Sequence, residues 1–261
     1  MIVDVRRTKI KQLLLQQGSV KVSELVKEFN VSEETIRRDL AQLEREGLIR
    51  KNYGGAVLAD PYMNDALLPS YDQRKEQFSE EKEAIGRAAA DLVKEDQIVI
   101  LDSGSTMRAV AKHLREKENL TIVTNNLSLI DEMMQHESHA VVLLGGKLFR
   151  RSRCTVGPQS VQELKKYSGN YVFLGAAGVS VPKGLWSADL YDAEVKQAMM
   201  ESAEKKVLVA DHSKFSKTAL IAYSELNEID ILITSDLVPE ETLEEIRSYG
   251  VEVIACKLGE H

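Results

Sequence analysis

Two groups of residues in this 261-residue chain combine the types and spacing that bind anions. Arg37 and Arg38 are adjacent, lie close to Thr35 and belong to a stretch of helical periodicity. The second group is the loop DSGST at 102–106, which offers hydroxyls and leads directly into the helical sequence MRAVAKHL. Arginines pair with guanine edges or phosphates, whereas hydroxyls and the free N–H groups of a helix start bind phosphate. The first group therefore suits nucleic acid, and the second suits a small phosphorylated ligand.

The arginine pair belongs to the third of three short helices that the first sixty residues predict. Ile36, Leu40 and Leu43 recur at i, i+4 and i+7, which predicts the buried stripe of this helix. Ser32 is placed to cap the helix and Gly47 to end it. The opposite face then points outwards and fits the major groove of DNA. From this helix, its cap and its flanks we expect DNA contacts from Ser32, Thr35, Arg37, Arg38, Gln42 and Arg45.

The segment LIRKNYGGAVL that follows the third helix predicts a two-stranded hairpin. Its Lys51 and Tyr53, together with Arg50, would form a basic wing beside the DNA backbone. Asp39 would weaken phosphate binding if it faced DNA, so we expect it to orient one of the two arginines or to pair within the domain. A three-helix protein-interaction module is the alternative that the spacing alone leaves open.

The charge distribution favours a DNA-binding head on a different kind of body. The whole chain has a net charge of −7, but residues 1–58 carry 11 basic and 8 acidic side chains. The excess of acidic residues therefore lies in the remainder of the chain. A basic segment on an acidic body is typical of a DNA reader that is fused to a second function.

Composition also narrows the compartment and the chemistry. The chain is 43% hydrophobic and 29% charged, and no apolar run approaches the roughly 20 residues that span a bilayer. Its first residues are charged, unlike a secretory signal, so we expect a cytoplasmic protein that does not contact a membrane. Cys154 and Cys256 are far apart and form no CxxC pair, so we expect no disulfide framework, no metal and no cofactor.

Beyond the head, the sequence predicts an α/β domain. Pro61 and Pro69 interrupt the periodicity, so we place a DNA-binding head at 1–58, a linker at 59–70 and an effector-sensing and oligomerisation domain at 71–261. Strand-like apolar stretches then alternate with helical ones, at 97–101, 120–124, 139–146, 171–178, 206–211, 229–234 and 251–255. This alternation predicts an open, mostly parallel sheet with helices on both faces.

Ligands of open parallel sheets bind at the carboxyl ends of the strands, so the residues after each strand are the candidates. The hydroxyls of the DSGST loop suit a phosphate, and Lys214 from another strand end supplies a counter-charge. Asn125 and Asn126 can offer donors and acceptors to sugar hydroxyls. An ordinary helix N-cap at DSGST and a simple turn at the two asparagines are the alternatives.

Both parts of the chain resemble the DeoR family of bacterial transcriptional regulators. In the head, the V-S-x-x-T-I-R-R-D-L helix and the Y-G-G-A wing fill every position of the family pattern. In the body, the segments DSGST, TNN, LLGG, GAAGVS, EVKQAM and DHSKF resemble the effector domain of the same family over about residues 70–235. The resemblance implies a fold similar to pentose-phosphate isomerases and a phosphorylated sugar or polyol as effector. It also implies effector contacts from Asp102, Ser103, Gly104, Ser105, Thr106, Asn125, Asn126, Gly146, Glu194 and Lys214.

We therefore expect a repressor of a sugar or polyol catabolic operon that releases double-stranded operator DNA when the effector binds. Because one small winged helix covers too few bases for a unique address, we also expect a homo-oligomer, a dimer or a tetramer. The rival function is a sugar-phosphate isomerase with an added helical head. Such an enzyme needs a carboxylate base in the loop after the middle strand, where this chain has GAAGVS at 175–180. We therefore expect no catalytic residues.

Overall fold

The computed structural model describes residues 3–17, 19–45, 49–58, 70–135 and 137–259. The chain divides into two compact units, residues 1–68 and residues 69–261. The predicted end of the third helix at Gly47, and the predicted linker up to residue 69, lie outside the described residues. Within the described ranges, no helix is long and apolar enough to cross a membrane.

The N-terminal unit combines three helices with a small antiparallel sheet. Its helices are α1 Val3–Gln17, α2 Val22–Phe29 and α3 Glu33–Arg45, and its strands are β1 Ser19–Lys21, β2 Ile49–Asn52 and β3 Gly55–Leu58. The predicted hairpin is confirmed as β2 and β3, and β1 adds a third strand on the other side of β3. The sequence did not predict β1, because three residues are too few to give a periodic signal.

The core of this unit is the stripe that the sequence predicts. Ile36, Leu40 and Leu43 of α3 are buried against Ile10 and Leu14 of α1 in one hydrophobic cluster. Because these side chains all lie on the inner face of α3, its outer face is left for solvent or DNA.

The larger unit is an α/β domain. Its helices are α4 Tyr71–Glu76, α5 Ser79–Asp91, α6 Ser105–Leu114, α7 Ile130–Met133, α8 Pro158–Leu164, α9 Leu190–Glu201 and α10 Glu240–Arg247. Its strands are β4 Ile98–Leu101, β5 Thr121–Thr124, β6 Ala140–Leu143, β7 Lys147–Phe149, β8 Cys154–Val156, β9 Gly169–Leu174, β10 Gly178–Ser180, β11 Gly184–Ser187, β12 Ala203–Val209, β13 Ile221–Ser224, β14 Ile231–Ser235 and β15 Glu252–Cys256.

Seven of these strands form a parallel sheet in the order β15-β14-β12-β9-β4-β5-β6. Each of the predicted strand stretches contributes one strand to this sheet, so the predicted fold class is confirmed. The β7–β8 hairpin and the antiparallel sheet β10-β11-β13 were not predicted.

The strand order determines where a ligand can bind. From β4 the chain proceeds to β5 and β6 on one side, and then returns to β9, β12, β14 and β15 on the other side. Neighbouring strands β4 and β9 therefore lead into connections that diverge, which opens a crevice at their carboxyl ends. The loop at 102–106 follows β4 and the loop at 175–177 follows β9, so both lie at this crevice.

Candidate DNA-binding and effector sites

The outer face of α3 presents two exposed arginines. Nη2 of Arg37 lies 2.6 Å from the Glu33 carboxylate, and Nη2 of Arg38 lies 2.5 Å from the Glu34 carboxylate, one helical turn back. Both arginine side chains are mostly exposed, so these ion pairs contribute at most about 1 kcal/mol each. A DNA phosphate or a guanine edge can therefore replace the glutamates as the partners of the two guanidinium groups.

Ser32 and Thr35 form the start of this helix. The Thr35 backbone N–H donates to Ser32 Oγ at 3.2 Å, and the two hydroxyl oxygens are 2.8 Å apart, so the predicted cap is present. At the other end, Arg45 Nε donates to the Ala41 carbonyl at 3.4 Å, and Gln42 is half-buried. The predicted residues of α3 thus line the helix from its first turn to its last.

The wing is joined to α3 by an ion pair. Lys51 Nζ of β2 lies 2.7 Å from the Glu44 carboxylate of α3, and hydrogen bonds from Lys51 lower the pKa of Glu44. Tyr53 lies in the turn between β2 and β3 and is completely exposed. Lys51 and Tyr53 therefore extend the surface of α3 in the way that a winged helix requires.

Asp39 has the structural role that the sequence predicts. It is buried, and it accepts hydrogen bonds from Arg6 Nε at 2.6 Å and from Arg7 Nε at 2.9 Å. Its partners are thus two arginines of α1 rather than Arg37 or Arg38. This pairing inside the unit leaves both exposed arginines of α3 available to DNA.

The loop at 102–106 brings α6 to the edge of the crevice. Gly104 precedes the helix with φ of 121°, which strongly favours glycine at this position. Ser105 and Thr106 in the first turn are almost fully buried. Ser105 lines a cavity of about 320 Å³ together with Lys82, Arg108 and Lys112. Glu83 and Glu132 also line this cavity and pair with Lys112 and Arg108, so it carries both signs of charge, and Lys82 is the buried cation in it.

Asp102 is fully engaged by protein donors. It forms a buried ion pair with Lys196 of α9, and it accepts hydrogen bonds from the backbone N–H groups of Ser103 at 2.6 Å and Gly175 at 2.8 Å. Burial alone would lower the pKa of Lys196, but Asp102 and Asp192 reverse this effect and raise it. The predicted effector contact from Asp102 stays a prediction, and in this geometry the residue joins the loops after β4 and β9.

The two asparagines after β5 also connect neighbouring segments. Asn126 Nδ2 donates to the carbonyls of Asp102 and Gly104, each at 3.4 Å, and Asn125 Nδ2 donates to the Thr155 carbonyl at 2.8 Å. Both side chains are fully buried. Within the described residues, the buried Asn125 Oδ1 has no hydrogen-bond partner, and its effector contact stays a prediction.

Gly146 and Glu194 have contacts on α8. A Cβ atom at Gly146 would lie 2.6 Å from Ser160 Oγ and 2.7 Å from the Val156 carbonyl oxygen, so its role is a close contact with β8 and α8. Glu194 lines a surface groove between α8 and α9, about 200° around α9 from Lys196. The structure therefore does not bring Glu194 together with Lys196, and its predicted effector contact has no support from this geometry.

Lys214 belongs to a group of three cations that we call the cationic cluster: Arg74, Lys82 and Lys214. Burial lowers the pKa of Lys82 to about 8, and the positive charges of Lys214 and Arg74 lower it further, against the opposing effects of Asp211 and Glu81. Burial also lowers the pKa of Lys214, to which Arg74 contributes in the same direction. Asp211 raises the pKa of both lysines, so an acid nearby partly compensates their positive charges.

The sequence analysis missed Arg74, Lys82 and Lys196. Lys82 lies three residues before Ile85 on the buried stripe of α5, which continues at Ala89. A lysine on such a stripe is unusual, and this signal could have identified it. Lys196 belongs to the EVKQAM segment and lies four residues after Asp192. This spacing places the two charges on one face of α9.

A winged helix-turn-helix followed by an α/β domain with a parallel sheet is the architecture of a DNA-binding transcriptional regulator with a second domain. A family model described as the DeoR-like helix-turn-helix domain matches residues 6–62, and one described as the DeoR C-terminal sensor domain matches residues 77–236. The chain belongs to the DeoR family, which confirms the resemblance seen in its motifs. It is a regulator and not an enzyme.

Full-length relatives support this assignment. The chain is 34% identical to the HTH-type transcriptional repressor GlcR of Bacillus subtilis, over 100% of this chain and 99% of the relative. It is 32% identical to the glycerol-3-phosphate regulon repressor of Escherichia coli, over 96% of this chain and 98% of the relative. Among solved structures, ribose 5-phosphate isomerase A of Neisseria gonorrhoeae matches with a TM-score of 0.38 and 17% identity, over 52% of this chain and 53% of that one.

Proposed function

We propose that this protein represses a sugar or polyol catabolic operon and that a phosphorylated sugar or polyol relieves the repression. The observation that carries the proposal is the cationic cluster beside the cavity at the start of α6. Similar proteins named as repressors, among them that of the glycerol-3-phosphate regulon, support the same class of ligand. A homo-oligomer stays a prediction, which follows from the small footprint of one winged helix on DNA.

A dianionic phosphate offsets the electrostatic cost of the cationic cluster. Lys82 is 5% exposed and Lys214 is half-buried, and Arg74 adds a third positive charge nearby. Like charges in a partly desolvated site repel each other, and an anion there converts repulsion into attraction. The N–H groups and hydroxyls of the DSGST loop would complete the phosphate site, and Asn125 Oδ1 would accept from a sugar hydroxyl.

The effector site can be tested by calorimetry on the full chain. Titrations of sugar and polyol phosphates are compared with those of their unphosphorylated parents, and only phosphorylated compounds are expected to bind. Lys214→Ala should weaken binding by ~1–3 kcal/mol, because a charged hydrogen bond is lost, and Ser105→Asp should abolish it through like-charge repulsion. Both variants should still bind operator and fail to release it. The control is Lys94→Ala, an exposed lysine beyond the far end of α5.

Binding should also weaken as the pH rises past about 8, the pKa of Lys82. The ammonium form binds the anion, and the free protein loses that form above this pH, whereas the second ionisation of the phosphate is complete above about pH 7. Lys82→Arg should make the decline shallower, since arginine stays protonated. Equal affinity for a sugar and its phosphate, or wild-type affinity in Ser105→Asp and Lys214→Ala, would show that the phosphate binds elsewhere.

The DNA-binding surface can be tested with Arg38→Ala. The substitution is expected to lower operator affinity by ~1–3 kcal/mol per subunit through the loss of one base or phosphate contact. Thermal unfolding and effector binding should not change, because the Arg38 side chain is exposed and its ion pair with Glu34 is weak. Fluorescence anisotropy at fixed salt measures the effect on a DNA fragment selected by the wild-type protein.

The control for this experiment is Lys9→Ala, which removes an exposed cation from α1. If Lys9→Ala lowers operator affinity as much as Arg38→Ala does, only the overall charge of the N-terminal unit matters for DNA binding. Unchanged affinity of Arg38→Ala would remove this residue from the DNA interface.

A further inference from the structure

The short helix α4 is the first described element after the segment that joins the two units. Ser70 and Gln73 close its amino end as a capping box, with hydrogen bonds of 3.3 Å to Ser70 Oγ and 2.9 Å to Gln73 Oε1. A helix of six residues is unstable by itself, so its position depends on its contacts with the rest of the unit.

The amino end of α4 docks on the β7–β8 hairpin through the buried Tyr71 ring, with the Arg153 guanidinium 5.1 Å from its centroid, and through two polar contacts. The Tyr71 backbone N–H donates to the Arg151 carbonyl at 3.0 Å, and Arg153 Nη2 lies 2.9 Å from the Asp72 carboxylate. Both members of this ion pair are at least half exposed, which limits its contribution to about 1 kcal/mol. The Tyr71 hydroxyl is buried and, within the described residues, has no hydrogen-bond partner, which further weakens the docking.

The carboxyl end of α4 depends on Lys82 from the cationic cluster. The Lys82 ammonium donates to the carbonyls of Arg74 and Gln77, each at 2.5 Å. Lys82 also lines the cavity at the start of α6, which it shares with Ser105. An ammonium has three donors, so Lys82 can contact the helix end and an anion in the cavity, but the two compete for its position.

We propose that the effector phosphate draws Lys82 away from the carboxyl end of α4, so that α4 loosens and transmits the effector signal to the segment that leads to the DNA-binding unit. This inference rests on the proposed function, because it assigns a regulatory role to the same phosphate site. The charged phosphate oxygens are stronger acceptors than the two neutral carbonyls. The pKa of Lys82 is lowered mainly by its burial, so its desolvated ammonium is stabilised further by an anion that comes close to it.

Arg74 connects the carboxyl end of α4 with the cationic cluster. Its carbonyl accepts from Lys82, its guanidinium donates to Ser152 Oγ at 3.4 Å in the hairpin tip, and its charge acts on Lys214. A phosphate between Lys82 and Lys214 would therefore change the surroundings of α4 from two sides. Only α4 needs to move, because the residues that hold the loops after β4 and β9 belong to the parallel sheet and α9.

Hydrogen exchange on the full chain, measured by mass spectrometry, tests the proposal with inorganic phosphate and with glycerol 3-phosphate as probes. Exchange in the peptide covering 70–77 is expected to rise several-fold when either probe binds, while peptides of β4 and β9 keep their rates. Lys82→Met should exchange rapidly at 70–77 without a probe and should not change when one is added. It should also bind operator roughly tenfold more weakly, as the loss of one or two hydrogen bonds implies. Lys94→Met, the matched control, should behave like the wild type.

The outcomes separate this inference from the proposed function. If neither probe nor any sugar phosphate changes the melting temperature of the wild type, the proposed phosphate site and the relay both fail. If a sugar phosphate binds and releases operator but exchange at 70–77 stays constant or falls, only the relay through Lys82 is overturned. The wild-type exchange data decide this even if Lys82→Met does not fold.

Discussion

Asp39→Ala is expected to unfold the N-terminal unit and to abolish operator binding. The Asp39 carboxylate is buried and accepts hydrogen bonds from both Arg6 and Arg7, so its removal takes away an acid that both arginines contact. Breaking a buried ion pair from one side typically costs about 3–5 kcal/mol. A unit of residues 1–68 has a total stability of only about 3–10 kcal/mol, so the substitution removes most or all of it.

Differential scanning calorimetry and operator titration measure this effect together. The transition of the N-terminal unit should disappear or shift far down, whereas effector binding in the larger unit should stay at the wild-type value. Glu24→Ala is the control, because the ion pair between Glu24 and Lys21 is exposed and contributes at most about 1 kcal/mol. Wild-type melting of the N-terminal unit in Asp39→Ala would mean that the two arginines do not need this acid.

The elements of the fold were predictable where the hydrophobic pattern is long. Central strands such as β4 and β14 are buried on both faces and read as continuous apolar runs, and α3 has a three-residue stripe with a cap. The strands β7, β8 and β10 have three residues each and pair locally or with distant segments. Such short strands carry no periodic signal, so only the tertiary structure reveals them.

The sequence indicated which loops contribute to the candidate site, but not which residues form its ion pairs and hydrogen bonds. The strand ends indicated the DSGST loop, Asn126 and Lys214 as candidates, and the first two of these are in contact through hydrogen bonds from Asn126 to the Asp102 and Gly104 carbonyls. They could not indicate that Asp102 pairs with Lys196, since these residues are 94 positions apart and meet only through the packing of α9 on the sheet. Glu194 shows the limit of the family motif. The motif indicates α9, the helix that also carries Lys196, but Glu194 lies on a different face of α9, in the groove beside α8.

Lys196→Met is expected to destabilise the larger unit by about 3–5 kcal/mol, because it leaves Asp102 without its counter-charge in a fully buried position. The double variant Lys196→Met with Asp102→Asn should recover much of this loss, since it removes both buried charges. Lys205→Met is the control, because Lys205 is mostly exposed and its pair with Asp230 is on the surface. Urea unfolding followed by circular dichroism measures the differences.

The destabilisation by Lys196→Met should be smaller at about pH 5 than at about pH 9. Burial raises the pKa of Asp102 and the loss of Lys196 raises it further, so the carboxyl of the variant takes up a proton at the lower pH and no longer leaves a buried charge. The pKa of Lys196 is raised in the folded protein, so its contribution is fully present below its ordinary pKa of 10.5 and is lost only at higher pH. A stability difference that stays constant from about pH 5 to 9 would mean that Asp102 does not depend on Lys196 for its charge. Folded Lys196→Met protein should also bind sugar phosphates more weakly, because Lys196 and Asp102 together hold the loop at Gly175 against the loop at 102–106. Lys196 itself does not line the cavity at α6. If that variant binds the effector with wild-type affinity, the ion pair between Lys196 and Asp102 stabilises the domain but does not contribute to effector binding.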